Sequence, residues 1–169
     1  MIKKLFAIII FVSLVVMFVL FSDTSKDQVF MTSGNTKQIP QEIEFERYID
    51  PETKKAIKKL EYSAQLIMPN GDTYYFCDAA NAFIWYMREK DKKGIKIYVY
   101  TMDTERYIDA KDAWYSRMEM TPDMHGIGAW ENRSYNRAHY TFEDVVVFAG
   151  RGETKMNPFI KYLCLRGKC

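Results

Sequence analysis

The chain has 169 residues, of which 48% are hydrophobic and 15% aromatic, and its 24 basic and 22 acidic residues give a formal net charge of +2. This length accommodates one ordinary domain, and the hydrophobic content supports a packed core, which excludes an intrinsically disordered chain. The balanced charge excludes the clustered basic surface that nucleic-acid-binding proteins use, so we expect no nucleic-acid partner.

The N-terminus has the pattern of a membrane anchor. Lys3 and Lys4 precede an uninterrupted apolar run that ends at residue 21. As a helix this run would be about 26 Å long, slightly less than the roughly 30 Å hydrocarbon core, and flanking residues can cover the deficit. Because the lysines would remain in the cytoplasm, residues 1–21 predict a single-pass membrane anchor, with the rest of the chain facing outward. A cleaved secretory signal is the alternative.

The remainder divides into a polar tether and irregular lead-in over residues 22–59 and an α+β domain over residues 60–169. In this domain Pro69-Asn70-Gly71-Asp72 predicts a hairpin turn, because these residues favour tight turns between strands. The segments on either side, residues 61–68 and 73–77, have strand composition. A β-hairpin therefore opens the domain.

A helix and another strand follow this hairpin. Asp78 is at an N-cap position before a helix predicted over residues 79–90, and residues 95–100 predict the next strand. Further strands are predicted near residues 106–108, 113–115, 126–130 and 143–148, and a last helix over residues 159–165. The first elements predict one compact α+β unit, and a second unit of related shape is expected to follow it.

The chain contains three cysteines, Cys77, Cys164 and Cys169. An odd number in an exported protein implies a free thiol, a metal-bound thiol or a pairing between chains. Cys77, between a strand and a helix, is interpreted as a small core residue or an additional metal ligand. Cys164 and Cys169 either form a disulfide, bind metal or meet a second chain.

The strongest chemical signal is the octapeptide 118–125, which contains three methionines and a histidine. Its Thr121-Pro122-Asp123-Met124 segment predicts a tight turn, because proline pre-sets the first corner. The turn would bring Met120 towards Met124 and His125, with the side chains facing outward. Sulfur and imidazole ligands suit Cu(I), so Met120, Met124 and His125 are predicted to form a metal site, with Met118 as a further candidate. Alternatively, these methionines fill gaps in the core.

A series of short segments between residues 61 and 130 occurs in an order typical of one family. The segments are Tyr62-Ser63-Ala64-Gln65, Asn70-Gly71-Asp72-Thr73-Tyr74-Tyr75-Phe76, Asp78 with Phe83-Ile84-Trp85-Tyr86, Tyr98-Val99, Tyr107-Ile108-Asp109-Ala110, Ala113-Trp114-Tyr115, and residues 121–130. In order and spacing they resemble the NosL-type accessory proteins of nitrous oxide reductase, whose Pro-Met-Gly turn corresponds to the last segment.

The resemblance implies a copper chaperone that is attached to the inner membrane, with its soluble domain in the periplasm. It also implies an α+β fold of two small ββαβ-like halves with antiparallel sheets. Such a protein would deliver Cu(I) to nitrous oxide reductase, or to another exported copper enzyme, together with its assembly machinery. Met124 is the residue that corresponds to a copper ligand of the family. Two departures are evident: no cysteine precedes Cys77, where many members have a Cys-x-Met pair, and Asn81 replaces a cysteine at the helix start.

No pattern in the sequence favours catalysis. A Cys-His pair would have to come from Cys77 with His125 or His139, whose spacing indicates no such pair, and no phosphate-binding glycine loop is present. We therefore expect a copper-binding accessory protein and not an enzyme. The alternative is a tethered interaction or scaffold module with the same fold and no metal.

Overall fold

The computed structural model describes residue 6, residues 10–17 and residues 27–168. This part of the chain has an α+β fold with antiparallel sheets, which confirms the predicted fold class. In chain order the elements are β1 (Met31–Thr32), β2 (Ala64–Ile67), β3 (Thr73–Phe76), α1 (Ala79–Arg88), β4 (Lys96–Tyr100), β5 (Tyr107–Asp109), β6 (Trp114–Ser116), β7 (Gly128–Trp130), α2 (Phe142–Gly150) and α3 (Pro158–Leu165). The main sheet has the order β1-β3-β2-β4-β5, and β6 pairs with β7.

The first structural unit follows the predicted order of strand, hairpin, strand, helix and strand. Strands β2 and β3 pair antiparallel across the predicted turn. Gly71 in this turn has a φ of 88°, a conformation that glycine adopts without steric cost. Helix α1 begins after Asp78, whose side chain accepts a hydrogen bond from the backbone N–H of Ala80. The N-terminus of α1 therefore lies next to the end of β3.

The second unit contains a helix where the sequence predicted a strand over residues 143–148. That prediction is wrong, because the segment forms α2. Thr141 accepts from the backbone N–H of Asp144, whose carboxylate accepts from the backbone N–H of Thr141, and this capping box satisfies donors that a helix start leaves unpaired. Val145 and Ala149, one turn apart, are buried where α2 packs on α1. Packing thus overrides the strand propensity of the valine run.

Helix α3 follows α2, and the chain reaches Lys168 without a further strand among the described residues. The second unit is therefore ββα, and its predicted closing strand is absent from the described chain. The last helix itself was predicted correctly: Asn157 caps it, and Pro158 occupies its first turn, where no backbone N–H is required.

The predicted anchor over residues 1–21 lies largely outside the described residues. Residues 10–17 are helical. Within the part of the chain that the structure describes, no helix is both long enough and apolar enough to cross a bilayer.

The lead-in segment packs against the domain. Strand β1 pairs antiparallel with β3, and the rings of Tyr48 and Tyr75 stack with centroids 4.1 Å apart. Ile57 and Tyr48 belong to a small core that also contains Cys77. These contacts fix Asp50, which is fully buried, beside the end of β3.

Candidate metal centre

Three chain segments converge at the N-terminus of α1 and bring a thiol between two carboxylates. Cys77 follows β3 directly, Asp50 comes from the lead-in segment, and Asp123 comes from the β6–β7 connection. Their candidate ligand atoms all lie within 4.8 Å of one another, and all three residues are buried. We refer to Asp50, Cys77 and Asp123 as the carboxylate–thiol cluster.

The thiol of Cys77 has two acceptors for one proton. Its Sγ lies 3.3 Å from Oδ2 of Asp50 and 3.2 Å from Oδ2 of Asp123. Because a thiol carries a single proton, it cannot donate a full hydrogen bond to both oxygens at once. One of the two carboxylate oxygens therefore lies beside the sulfur without a full hydrogen bond from it. A cation in place of the proton would interact with both carboxylates.

Asn81 connects the two carboxylates from the first turn of α1. Its Nδ2 donates to Oδ2 of Asp50 at 2.8 Å and to Oδ2 of Asp123 at 2.7 Å. Its Oδ1 lies 3.1 Å from Nε2 of His125, whose Nδ1 lies 3.2 Å from Oγ1 of Thr154. Since the amide oxygen can only accept, Nε2 of His125 carries a proton. His125 thereby fixes the orientation in which Asn81 donates to both carboxylates.

The charges of the cluster are partly balanced by one lysine. Nζ of Lys55 forms an ion pair with Oδ1 of Asp123. Burial would raise the pKa of Asp123, but hydrogen bonds from Lys55, Asn81 and Cys77 outweigh this effect and hold that pKa below its ordinary value. The same contact with Asp123 raises the pKa of Lys55. Asp123 and Lys55 are therefore both charged at neutral pH.

The thiol of Cys77 is protonated at neutral pH in the metal-free protein. Burial raises its pKa well above the usual range, and the charges of Asp50 and Asp123 raise it further. A neutral thiol is a poor nucleophile, so the cluster does not have the properties of a catalytic cysteine. A bound metal ion reverses this preference, since metal ligation requires the thiolate.

The residues predicted to form the metal site differ in their exposure to solvent. The predicted turn is present, with the backbone N–H of Met124 donating to the carbonyl of Thr121 at 3.1 Å. Met120 and Met124 are 70% and 44% exposed, so neither fills the core. His125 is only 7% exposed, and the expectation that its imidazole faces outward is wrong. Both ring nitrogens of His125 already have protein partners.

Met120 is the predicted ligand that the structure brings to the cluster. An open pocket of about 530 Å³ is lined by Cys77 and Met120 together with Lys55, Ala56, Lys58, Lys59 and Pro122. The thiol therefore has a path to solvent beside a thioether, while the carboxylates lie behind it. Met118 is 44% exposed and does not line this pocket.

Of the three cysteines, Cys77 is the free thiol of the described chain. Cys164 is disulfide-bonded, which selects one of the alternatives left open by the sequence, and Cys169 lies outside the described residues.

Sequence reasoning did not identify Asp50, Asp123, Lys55 or Asn81 as parts of the site. Asp50 and Asp123 are 27 and 46 residues from Cys77 in the sequence, so their spacing gives no indication of proximity. The Asp-Pro break at residue 50 and the Asp78/Asn81 spacing at a helix start were the available local signals. Neither signal indicates which other loop will approach the helix.

Searches against protein-family models, curated proteins and solved structures found no match to this chain.

Proposed function

We propose that the protein binds Cu(I) at the thiol of Cys77 and the thioether of Met120 and delivers it to an exported copper enzyme. The observation that supports this function is the position of the Cys77 thiol, held between two buried carboxylates and open to a pocket that it shares with Met120. Thiolate and thioether sulfur are the soft ligands that Cu(I) prefers. A two-sulfur site also leaves coordination positions open to a client.

The charge balance of the cluster favours a monovalent ion. When Cu(I) replaces the thiol proton, one unit of positive charge leaves and one enters. The net charge around the buried carboxylates therefore stays the same. Asp50 and Asp123 then need no new partner, and Lys55 can remain on Asp123. The protein thus exchanges a proton for the ion, with little rearrangement of a buried network.

The other predicted ligands have distinct roles in this proposal. Met124 is exposed on the same turn as Met120 and serves as an entry ligand for Cu(I). His125 acts through Asn81, because its Nε2 is already engaged with the amide oxygen of that residue. The resemblance to NosL-type proteins supplies the proposed client, nitrous oxide reductase or another exported copper enzyme, with its assembly machinery.

The proposed location is the inner membrane, with residues 1–21 as a single-pass anchor and the domain in the periplasm. The disulfide at Cys164 supports an oxidising compartment, since disulfides persist there and are rare in the cytosol. Thioether ligands are also suited to that compartment because they do not form disulfides.

Titration of the full chain in detergent with Cu(I), against a chromogenic competing chelator, tests the proposal. Cys77→Ser should weaken binding about 100-fold or more, and Met120→Leu about tenfold, because each removes a soft ligand. Met156→Leu is the matched control: this methionine is exposed and does not line the pocket, so its loss should leave the affinity unchanged. Tight binding that survives Cys77→Ser would place the ion elsewhere and contradict the proposal.

A scaffold function without metal has one observation in its favour. Helix α3 exposes Phe159, Tyr162 and Leu165, an apolar surface suited to a protein partner. Absence of Cu(I) binding, together with capture of the client enzyme that is lost on Phe159→Ser, would favour this second function. Helix α3 is therefore the region that distinguishes the two proposals.

A further inference from the structure

The side chain of Lys55 links the solvent-exposed surface to the carboxylate–thiol cluster. Its side chain is 57% exposed, whereas that of Asp123, its ion-pair partner, is 5% exposed. Lys55 also lines the pocket to which Cys77 opens. The lysine therefore extends from the solvent across the pocket and places its ammonium group on a buried carboxylate.

The cluster contains ligands for a second class of metal besides Cu(I). Two carboxylates and a thiolate are donors that Zn²⁺ and related divalent ions accept, and the candidate ligand atoms of the three residues are already close together. Without another influence, such a site would retain a divalent ion and exclude the monovalent cargo from Cys77.

The two classes of ion differ in the charge that they add. Cu(I) in place of the thiol proton leaves the cluster charge unchanged, so a nearby ammonium group has little effect on the exchange. A divalent ion in the same place adds one positive charge beside Lys55, on a carboxylate that the ammonium already occupies. Like charges repel strongly where the effective dielectric constant is low.

We propose that Lys55 is a specificity-determining residue, which keeps divalent ions out of the carboxylate–thiol cluster and leaves Cys77 available to Cu(I). This inference rests on the proposed function, because it assigns Lys55 a role in selecting that cargo. Lys55 would act through the charge of its ammonium group and would not itself bind the Cu(I) ion.

The test compares Zn²⁺ and Cu(I) affinities of the full chain, each measured in detergent against a competing chelator. Lys55→Gln keeps a hydrogen-bond donor for Asp123 and removes the charge. It should bind Zn²⁺ about tenfold or more tightly than the wild type, while its Cu(I) affinity should change by less than about threefold. Lys55→Arg should keep the Zn²⁺ affinity of the wild type, since it keeps the charge.

Lys58→Gln is the matched control, because Lys58 lines the same pocket and its loss changes the net charge equally. An equal gain of Zn²⁺ affinity in Lys58→Gln would overturn the proposal, since it would show a general effect of charge. The double variant Lys55→Gln with Asp123→Asn should lose the gain, and a gain that persists would also overturn it. If Lys55→Gln does not fold without metal, recovery on refolding with Zn²⁺ supports the proposal and no recovery opposes it.

The outcomes separate this inference from the proposed function. Wild-type protein that binds Cu(I), with equal Zn²⁺ affinities in the wild type and Lys55→Gln, overturns the role of Lys55 alone. Wild-type protein that binds no Cu(I) contradicts the proposed function, and the selecting role of Lys55 fails with it.

Discussion

Two buried acidic residues near the same turn are held in different ways. Glu119 receives two hydrogen bonds of 2.9 Å from the guanidinium of Arg137, and Ser116 donates a third at 2.8 Å. Asp123, four residues later, accepts hydrogen bonds from Lys55, Asn81 and Cys77. Its carboxylate also lies close to that of Asp50. Glu119 and Arg137 form a complete bidentate ion pair. Asp123, in contrast, shares the Cys77 thiol and the Asn81 amide with Asp50.

The difference separates a structural carboxylate from an exchangeable one. A guanidinium matches a carboxylate with two parallel hydrogen bonds and cannot lose its proton, so the Glu119 pair has no group that a metal ion would replace. In the carboxylate–thiol cluster, the proton of Cys77 can be replaced by a metal ion, while Lys55 stays paired with Asp123. Both carboxylates are buried, so burial alone does not distinguish them, whereas the partners that each one has do.

The largest expected effect comes from the shared donor of the cluster. Asn81→Leu has similar volume but removes the amide that donates to Asp50 and Asp123, and leaves both carboxylates without it. We expect the free energy of unfolding to fall by about 3 kcal/mol, measured by urea denaturation at pH 7. Asn132→Leu is the control, because this exposed amide bonds to Asp103 at the surface, and it should cost less than about 1 kcal/mol. Equal losses of unfolding free energy in the two variants would show that the buried carboxylates do not depend on the Asn81 amide.

Removing Arg137, the partner of Glu119, tests whether the Glu119 ion pair is purely structural. Arg137→Met should lower the free energy of unfolding by about 2 kcal/mol, a value reduced for the 54% exposure of the arginine side chain. Its Cu(I) affinity should remain that of the wild type, because the Glu119 pair is structural. The control is Arg133→Met, which removes an exposed guanidinium that lies over Trp114. A marked loss of Cu(I) affinity in Arg137→Met would show that the two carboxylate sites are coupled.

The Cys77 thiol predicts a pH dependence that the Glu119 pair does not share. Because the pKa of Cys77 is raised, the folded protein retains this proton through neutral pH, and on the proposed function Cu(I) binding must displace it. Cu(I) affinity should therefore rise about tenfold, or about 1.4 kcal/mol, for each pH unit between pH 6 and pH 8. Calorimetry in buffers of different ionisation enthalpy should show one proton released per ion. A pH-independent affinity would mean that the thiolate is already present before binding.

The same raised pKa fixes the sign of a stability change without metal. The unfolded thiol ionises near its ordinary pKa, whereas the folded thiol stays protonated. Its stabilising contribution is therefore fully present below about pH 8.5 and is lost as the pH rises further. Cys77→Ala should lack this part of the alkaline loss in denaturation curves measured from pH 7 to pH 10.

The sequence predicts the first structural unit better than the second for a physical reason. The hairpin at Gly71 and the N-cap at Asp78 depend on local turn and capping chemistry, which a few neighbouring residues determine. Helix α2 has a valine run that favours a strand, and its capping box at Thr141 and Asp144 was the local signal to the contrary. Its identity was decided by packing against α1, which local residues do not reveal.

The site was predictable in part for the same reason. The turn at Thr121 is local and was predicted, and Met120 was correctly placed near solvent. The direction of His125 was not predictable, because it depends on Asn81 and Thr154, partners that the fold brings from other segments. The approach of Asp50 to Cys77 likewise depends on how the lead-in segment packs on β3.

The smallest expected effect concerns the backbone of the turn that carries Asp123. Met124 has a φ of 61°, a left-handed conformation that costs a residue with a side chain about 1–2 kcal/mol and costs glycine little. Met124→Gly should therefore raise the free energy of unfolding by up to about 1 kcal/mol, after the greater chain entropy of glycine is subtracted. Met118→Gly, a similarly exposed methionine outside the left-handed region, should lower it by a similar amount. If both substitutions destabilise the protein equally, contacts of the Met124 side chain offset the cost of its left-handed conformation. The turn that holds Asp123 would then carry no net backbone strain.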